Sequence, residues 1–129
     1  MGNDDAHAVV FADAEGVTRH WSRGAERLFG YTAAEAVGRS LDLIVPERFR
    51  DRHWAGFRRA VGSGKARNNG GKTNIPVLCR DGTVRPLPGT FVFLTDAYDV
   101  GVGAIAIWSD PVGGEEVFGP VLPRNPRAE

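Results

Sequence analysis

The chain has little of several residue types, and each shortage excludes a class of structure. Cys79 is the only cysteine among 129 residues, which excludes an internal disulfide and a metal cage built from thiolates alone. Met1 is the only methionine, so a thioether metal ligand from within the fold is excluded as well. No apolar run approaches the roughly 18 residues of a membrane-spanning helix, and the N-terminus lacks the pattern of a signal peptide. We therefore expect a cytoplasmic protein without a membrane partner.

An excess charge of either sign is also missing. Sixteen basic and sixteen acidic residues cancel, so no overall field attracts nucleic acid. A hydrophobic share of 42% and a charged share of 25% are typical of a soluble globular protein, and the length suits one domain. We predict a single domain over residues 1–110, followed at 111–129 by an extended or disordered tail that is rich in proline and has no helical period.

Local signals predict two strands, then several short helices, then three further strands. Residues 13–16 read as the turn of a β-hairpin. Ser22 is a predicted N-cap, and Thr32 with Glu35 has capping-box spacing. The longest helix is predicted to begin near Pro46 and to end near 62–64. The later strand candidates are residues 73–80, 83–94 and 102–110. This order predicts an α+β domain with one antiparallel sheet and helices on one face.

The predicted long helix carries a histidine on its apolar stripe. At helical spacing, Phe49, His53, Phe57 and Val61 share one side, which would face the space between the helix and the sheet. A neutral imidazole on a rigid helix, aimed at an apolar pocket, is suited to ligate a haem iron. Taken alone, however, such a spacing is more often that of a structural histidine that is hydrogen-bonded to a neighbour.

Two segments, WSRGAERLFGYTAAEAVGRSLDLIVPERFRDRHWAGF and CRDGTVRPL, resemble the PAS family of sensor domains. The resemblance implies a five-stranded antiparallel sheet with helices packed across one face. From Glu47 to Gly82 the chain is most similar to the haem-binding branch of oxygen-sensing PAS domains. In that branch the proximal iron ligand is a histidine on the long helix, at the position of His53. The resemblance thus implies haem b as the cofactor and His53 as the metal ligand.

The same resemblance implies the surroundings of the haem. Phe49, Phe57 and Val61 are expected against the porphyrin, and Lys65, Arg67 and Lys72 beside the propionates. The oxygen-binding arginine of the branch is replaced by Thr73, and its methionine ligand by Gly71. Apolar residues are expected on the distal side at Leu87, Gly89 and Phe91, with Ile105 and Ile107 completing the lining.

Two of these positions shape the expected chemistry. Gly89 either leaves extra room beside the iron or marks a bulge next to Pro88. Thr73 donates only a neutral hydrogen bond, weaker than that of an arginine. We therefore expect an open distal site that binds the diatomic gases CO, NO and O2, with either a bias towards CO and NO or only brief binding of O2.

Three functions remain open from the sequence. The first is a gas sensor that signals through a homodimer or a separate output protein. The second is a small haem enzyme that activates oxygen or peroxide on an organic substrate, although no distal acid–base pair is evident. The third is a PAS module that binds another small apolar molecule, or acts by protein contact alone.

Overall fold

A computed structural model describes residues 6–63, 71 and 73–110. The predicted tail at 111–129 lies outside the described residues. Two one-turn 3-10 helices, Leu41–Leu43 and Glu47–Phe49, precede the longest helix. In chain order the strands and α-helices are β1 (His7–Asp13), β2 (Thr18–Trp21), α1 (Arg23–Phe29), α2 (Ala33–Ala36), α3 (Arg50–Ser63), β3 (Thr73–Leu78), β4 (Val84–Thr95) and β5 (Gly101–Ser109).

The strands of the described chain form one antiparallel sheet in the order β2-β1-β5-β4-β3. The last strand, β5, therefore lies in the centre, between the first strand and β4. This arrangement confirms the predicted α+β class and the five-stranded antiparallel sheet. None of the helices in the described ranges is both long and apolar enough to cross a membrane.

Short polar signals fix the ends of the small helices as predicted. The Ser22 side chain accepts from Ala25 N and begins α1, while Gly30 ends it with a φ of 92°, a conformation that glycine adopts without strain. Thr32 and Glu35 form both hydrogen bonds of a capping box at the start of α2. These contacts satisfy backbone N–H groups that a helix start otherwise leaves without partners.

Two prolines in β4 lie where their missing donors are not needed. Pro86 and Pro88 face Pro76 and Asn74 of β3, whereas pairing of β4 with β5 begins only at Gly89. The first part of β4 therefore has a partner on one side alone, which tolerates residues without an N–H.

The face of the sheet that carries the helices, called here the inner face, holds the main hydrophobic core. Phe29 of α1 packs edge-on against Trp108 of β5 and Trp21 of β2, with ring centroids 5.0 and 5.6 Å apart. Both indoles are hydrogen-bonded, Trp21 Nε1 to Tyr31 O at 2.9 Å and Trp108 Nε1 to Ile75 O at 3.3 Å. We call these buried residues the core cluster: Ala8, Val10, Trp21, Ala25, Leu28, Phe29, Ala36, Ile44, Val77, Cys79, Leu87 and Trp108.

Large and small side chains face each other across β4 and β5 on this inner face. Trp108 is opposite Gly89, and Phe91 and Phe93 are opposite Ala106 and Ala104. Each bulky ring thus has a small cross-strand neighbour, which allows dense packing without displacing the strands.

Candidate functional site

Helix α3 crosses the sheet near the ends of β4 and β5, and contacts three points. The Phe57 ring packs against Phe93 with centroids 5.3 Å apart. Near the C-terminal end of the helix, the main chain of Val61 approaches Gly101 so closely that a Cβ added at Gly101 would collide with Val61 O. Near its start, the Trp54 ring lies against Gly16 in the β1–β2 turn. The helix is thus seated directly on the sheet.

His53 lies in this region, half-buried and surrounded by aromatic rings. Its ring centroid is 4.6 Å from that of Trp54 and 5.9 Å from that of Phe57. Burial lowers the pKa of His53 to about 4, although the nearby Asp42 carboxylate opposes this shift. The imidazole is therefore neutral at pH 7, which is the form that binds a metal.

One nitrogen of this imidazole has no partner. His53 Nδ1 is buried and makes no hydrogen bond within the described chain. A buried polar atom without a partner costs stability and is uncommon in folded proteins. The other such atoms of the described chain, on His7, Thr90 and Ser109, lie on the opposite face of the sheet, since they follow the register of Val9 and Ile107. Of these four buried atoms without a hydrogen-bond partner, His53 Nδ1 is the one that lies on α3.

Ring contacts extend from His53 along the inner face of β4. Trp54 and Phe57 are 5.3 Å apart, Phe57 reaches Phe93, and Phe93 lies 5.8 Å from Phe91. We call this group the aromatic cluster: His53, Trp54, Phe57, Phe91 and Phe93. It is an apolar wall with one neutral nitrogen base, and such a donor set suits the iron of a haem.

The structure brings only part of the predicted site together on α3. Phe57 and His53 are in contact, as the helical stripe predicts. The Phe49 ring, in contrast, is covered by the guanidinium groups of Arg48 and Arg52, at 4.6 and 5.6 Å from its centroid. Val61 contributes its main chain to the contact with Gly101.

Leu87 and Gly89 lie on the inner face of β4 before Phe91, and Thr73 lies beside Gly89 on β3, so all three are further along the sheet than Phe93, which contacts Phe57. Leu87 is buried in the core cluster, and Thr73, also buried, pairs with Gly89. Neither expectation for Gly89 is met. An added Cβ there would lie 2.7 Å from Ile107 O and 3.0 Å from Trp108 Cδ1, so the glycine leaves no extra room. The register also runs through it without a bulge.

The expected lining by Ile105 and Ile107 is wrong. Ile107 pairs with Thr90, and Ile105 pairs with Val92, so both lie on the outer face of the sheet. Because side chains alternate between faces along a strand, the inner-face residues of β5 are instead Ala104, Ala106 and Trp108.

Other predicted residues fall outside the described chain. These are the proposed propionate partners Lys65, Arg67 and Lys72. Within the described ranges, no three His, Cys, Asp or Glu side chains come together in a way that would hold a metal ion.

Three residues of the site were not expected from the sequence. Phe93 continues the alternation of Leu87, Gly89 and Phe91, so extending that register by two residues identifies it. Trp54 lies off the stripe defined by i, i+4 spacing but three residues before Phe57, which is also a same-face spacing in a helix. Asp42 precedes the helix and accepts a hydrogen bond from Trp54 Nε1, a contact that no local pattern marks.

Comparison with known proteins agrees with this architecture. A family model described as PAS fold matches residues 6–111. The crystal structure of a PAS domain from Colwellia psychrerythraea superposes with a TM-score of 0.66 at 25% identity, covering 81% of this chain and 85% of that one.

Curated relatives also match in sequence. An uncharacterized protein of Azorhizobium caulinodans is 32% identical over 80 residues, 61% of this chain and 11% of that protein. The sensor protein FixL of Bradyrhizobium diazoefficiens is 39% identical over 46 residues, 36% of this chain and 9% of FixL. The matches thus span about a tenth of these relatives. With the sheet order, the helices on one face and the family match over most of its length, the chain belongs to the PAS family of sensory and ligand-binding domains.

Proposed function

We propose that this PAS domain binds haem b through His53 and acts as a sensor of diatomic gases. The observation that carries the proposal is the His53 imidazole, which is neutral, half-buried and unpartnered at Nδ1 on an apolar aromatic wall. The match to the sensor protein FixL supports it, together with the resemblance of Glu47–Gly82 to haem-binding PAS domains.

The chain's own residues would have distinct tasks around the cofactor. A bound haem would supply an iron with a position for a diatomic ligand. His53 would hold that iron, while Phe91 and Phe93 would exclude water from the inner face of β4. Phe57 contacts Phe93, so a planar group between α3 and β4 has to separate these two rings.

The remaining predicted residues complete the proposal. Thr73 provides one neutral hydroxyl donor on the inner face, which favours CO and NO over a ligand that needs a charge-assisted hydrogen bond. Lys65, Arg67 and Lys72 are the proposed partners of the propionates. We place the protein in the cytoplasm and expect its signal to pass through a homodimer or a separate output protein.

Titration of the purified protein with hemin, followed by absorption, tests the proposal. We expect a sharp Soret band at one hemin per chain, and a shift of that band when CO is added to the reduced protein. His53→Ala should abolish the ligated spectrum. His20→Ala is the matched control, because His20 is exposed on β2, and it should leave the spectrum unchanged.

Three results would redirect the assignment. A protein that takes up no hemin would remove haem binding, and a His53→Ala variant with the wild-type spectrum would remove ligation of the iron by His53. The apolar rings of the aromatic cluster would then favour a small apolar molecule as the ligand, which a change in tryptophan emission on adding a medium-chain fatty acid would detect. Steady peroxide-driven turnover well above that of free hemin would instead favour a haem enzyme.

A further inference from the structure

Trp54, which follows His53 in the chain, is held between two fixed points. Its Nε1 donates a hydrogen bond of 2.6 Å to Asp42 Oδ1. Its six-membered ring lies against Gly16, where an added Cβ would collide with Cη2 and Cζ3 of Trp54. These two points are also joined to each other, because Leu41 N donates to Gly16 O at 3.0 Å. The indole therefore closes a ring of contacts between α3, the first 3-10 helix and the β1–β2 turn.

Asp42 also contacts the first turn of α3. Arg50 Nη2 donates to the main-chain oxygen of Asp42 at 3.2 Å, and Arg50 Nε lies 3.9 Å from Asp42 Oδ1. The position of Asp42 is itself fixed, since its N–H donates to the Ser40 hydroxyl at 3.1 Å. Asp42, which lies outside the helix, thus restrains α3 at two positions. These are Arg50, three residues before His53, and Trp54, the residue that follows it.

We propose that Asp42 is a positioning residue for His53. By holding the Trp54 indole it sets the rotation of α3, and with it the direction in which the neighbouring imidazole points. The His53 and Trp54 rings stand edge-to-face at 76°, so a displaced indole has to displace the imidazole. The consequence for cofactor affinity rests on the proposed function, whereas the restraint on His53 does not.

A small set of variants separates the hydrogen bond from the charge. Asp42→Asn keeps an oxygen that accepts from Trp54 Nε1, and Asp42→Leu removes it. Trp54→Phe removes the donor but keeps an aromatic ring. The matched control is Asp81→Leu, which removes a turn carboxylate that accepts from Thr83 at the opposite end of β4 from Phe93.

The first measurement uses hemin-free protein and nuclear magnetic resonance. The indole N–H signal of Trp54, identified by its loss in Trp54→Phe, should move upfield in Asp42→Leu and move much less in Asp42→Asn. The ring signals of His53 should shift in Asp42→Leu and stay in place in Asp81→Leu. An indole signal that moves while the His53 ring signals do not would overturn the proposal.

The second measurement is the rate at which bound haem transfers to excess apomyoglobin. Groups that orient a metal ligand change metal affinity by about 10–100-fold, so Asp42→Leu and Trp54→Phe should each raise the rate at least about tenfold. The double variant should add little, since both changes break one interaction, and Asp42→Asn should stay near wild type. Equal rates in Asp42→Leu and Asp81→Leu would contradict the positioning role. If the wild-type protein takes up no hemin, the proposed function fails, and the resonance measurement alone decides the role of Asp42.

Discussion

The inner face of the sheet carries two groups of aromatic rings that differ in how completely they are enclosed. In the core cluster, Trp21, Phe29 and Trp108 are at most 4% exposed, and both indole N–H groups have acceptors. In the aromatic cluster, His53 and Trp54 are only half-buried, and His53 Nδ1 is buried without a partner. The core cluster is packed so that its polar atoms are satisfied. In the aromatic cluster, the unpartnered His53 Nδ1 lowers the stability of the fold, and functional sites are where such costs are commonly found.

Truncating one phenylalanine in each group should give the largest contrast. Phe29→Ala removes a ring that is 1% exposed, and we expect a loss of about 3–5 kcal/mol in the free energy of unfolding. Phe93→Ala should cost about half as much, since that side chain is half-buried and less apolar surface returns to water. Urea denaturation of both variants measures the difference. Equal losses would show that the two groups are packed alike.

Lowering the pH should reduce the free energy of unfolding through protonation of His53 in the unfolded chain. Burial holds the pKa of the folded form at about 4 against an ordinary value of 6.5, so between these pH values the unfolded chain takes up a proton that the folded chain does not. The free energy of unfolding should therefore fall as the pH drops from about 6.5 to about 4, by at most about 3 kcal/mol. Above that window this group should have no effect.

The variant His53→Leu isolates this contribution in hemin-free protein. The free energy of unfolding of this variant should fall less on acidification than that of wild type, because residue 53 no longer takes up a proton on unfolding. The difference in free energy of unfolding between the two proteins should therefore change steadily from about pH 6.5 to about pH 4. His20→Leu, at an exposed position, should run parallel to wild type. Parallel curves for His53→Leu would mean that the imidazole is not held neutral by burial.

A methyl group added at Gly16 should give the smallest effect of the three. Gly16 and Gly38 both have positive φ, 80° and 92°, but only at Gly16 would an added Cβ meet Trp54, since a Cβ added at Gly38 would have no non-neighbouring atom within 4 Å. Gly38→Ala should cost about 1 kcal/mol from backbone strain alone, and Gly16→Ala about 1 kcal/mol more. Thermal unfolding together with tryptophan emission checks this, because only Gly16→Ala should also alter the emission of Trp54.

Sequence patterns predicted the elements of the fold because their signals are local. A serine that accepts from the third residue of a helix, the Thr32–Glu35 box and a glycine with positive φ each act within four residues. The identity of the central strand depends on long-range pairing, and neither the local patterns nor the expected five-stranded sheet specified it. The PAS assignment followed from the same segment that carries these caps.

The site was predicted less completely, for reasons that lie in β5. Both faces of this strand are apolar, with Ala104 and Ala106 on one side and Ile105 and Ile107 on the other, so alternation alone could not select the inner face. The larger isoleucines are the natural choice for a pocket. The register reverses that choice, since the space above the alanines is filled by Phe91 and Phe93 from β4.

Because Gly89 and Trp108 pair across β4 and β5, their side chains share one space on the inner face, and the size of each limits the size of the other. Gly89 lies where an added methyl would meet the indole and the backbone of β5. A larger residue at 89 would therefore require both a smaller side chain at 108 and a shift of the β5 backbone at Ile107. Enlarging the interior at this point therefore requires a smaller side chain in place of Trp108, because Gly89 has no side chain that could be shortened.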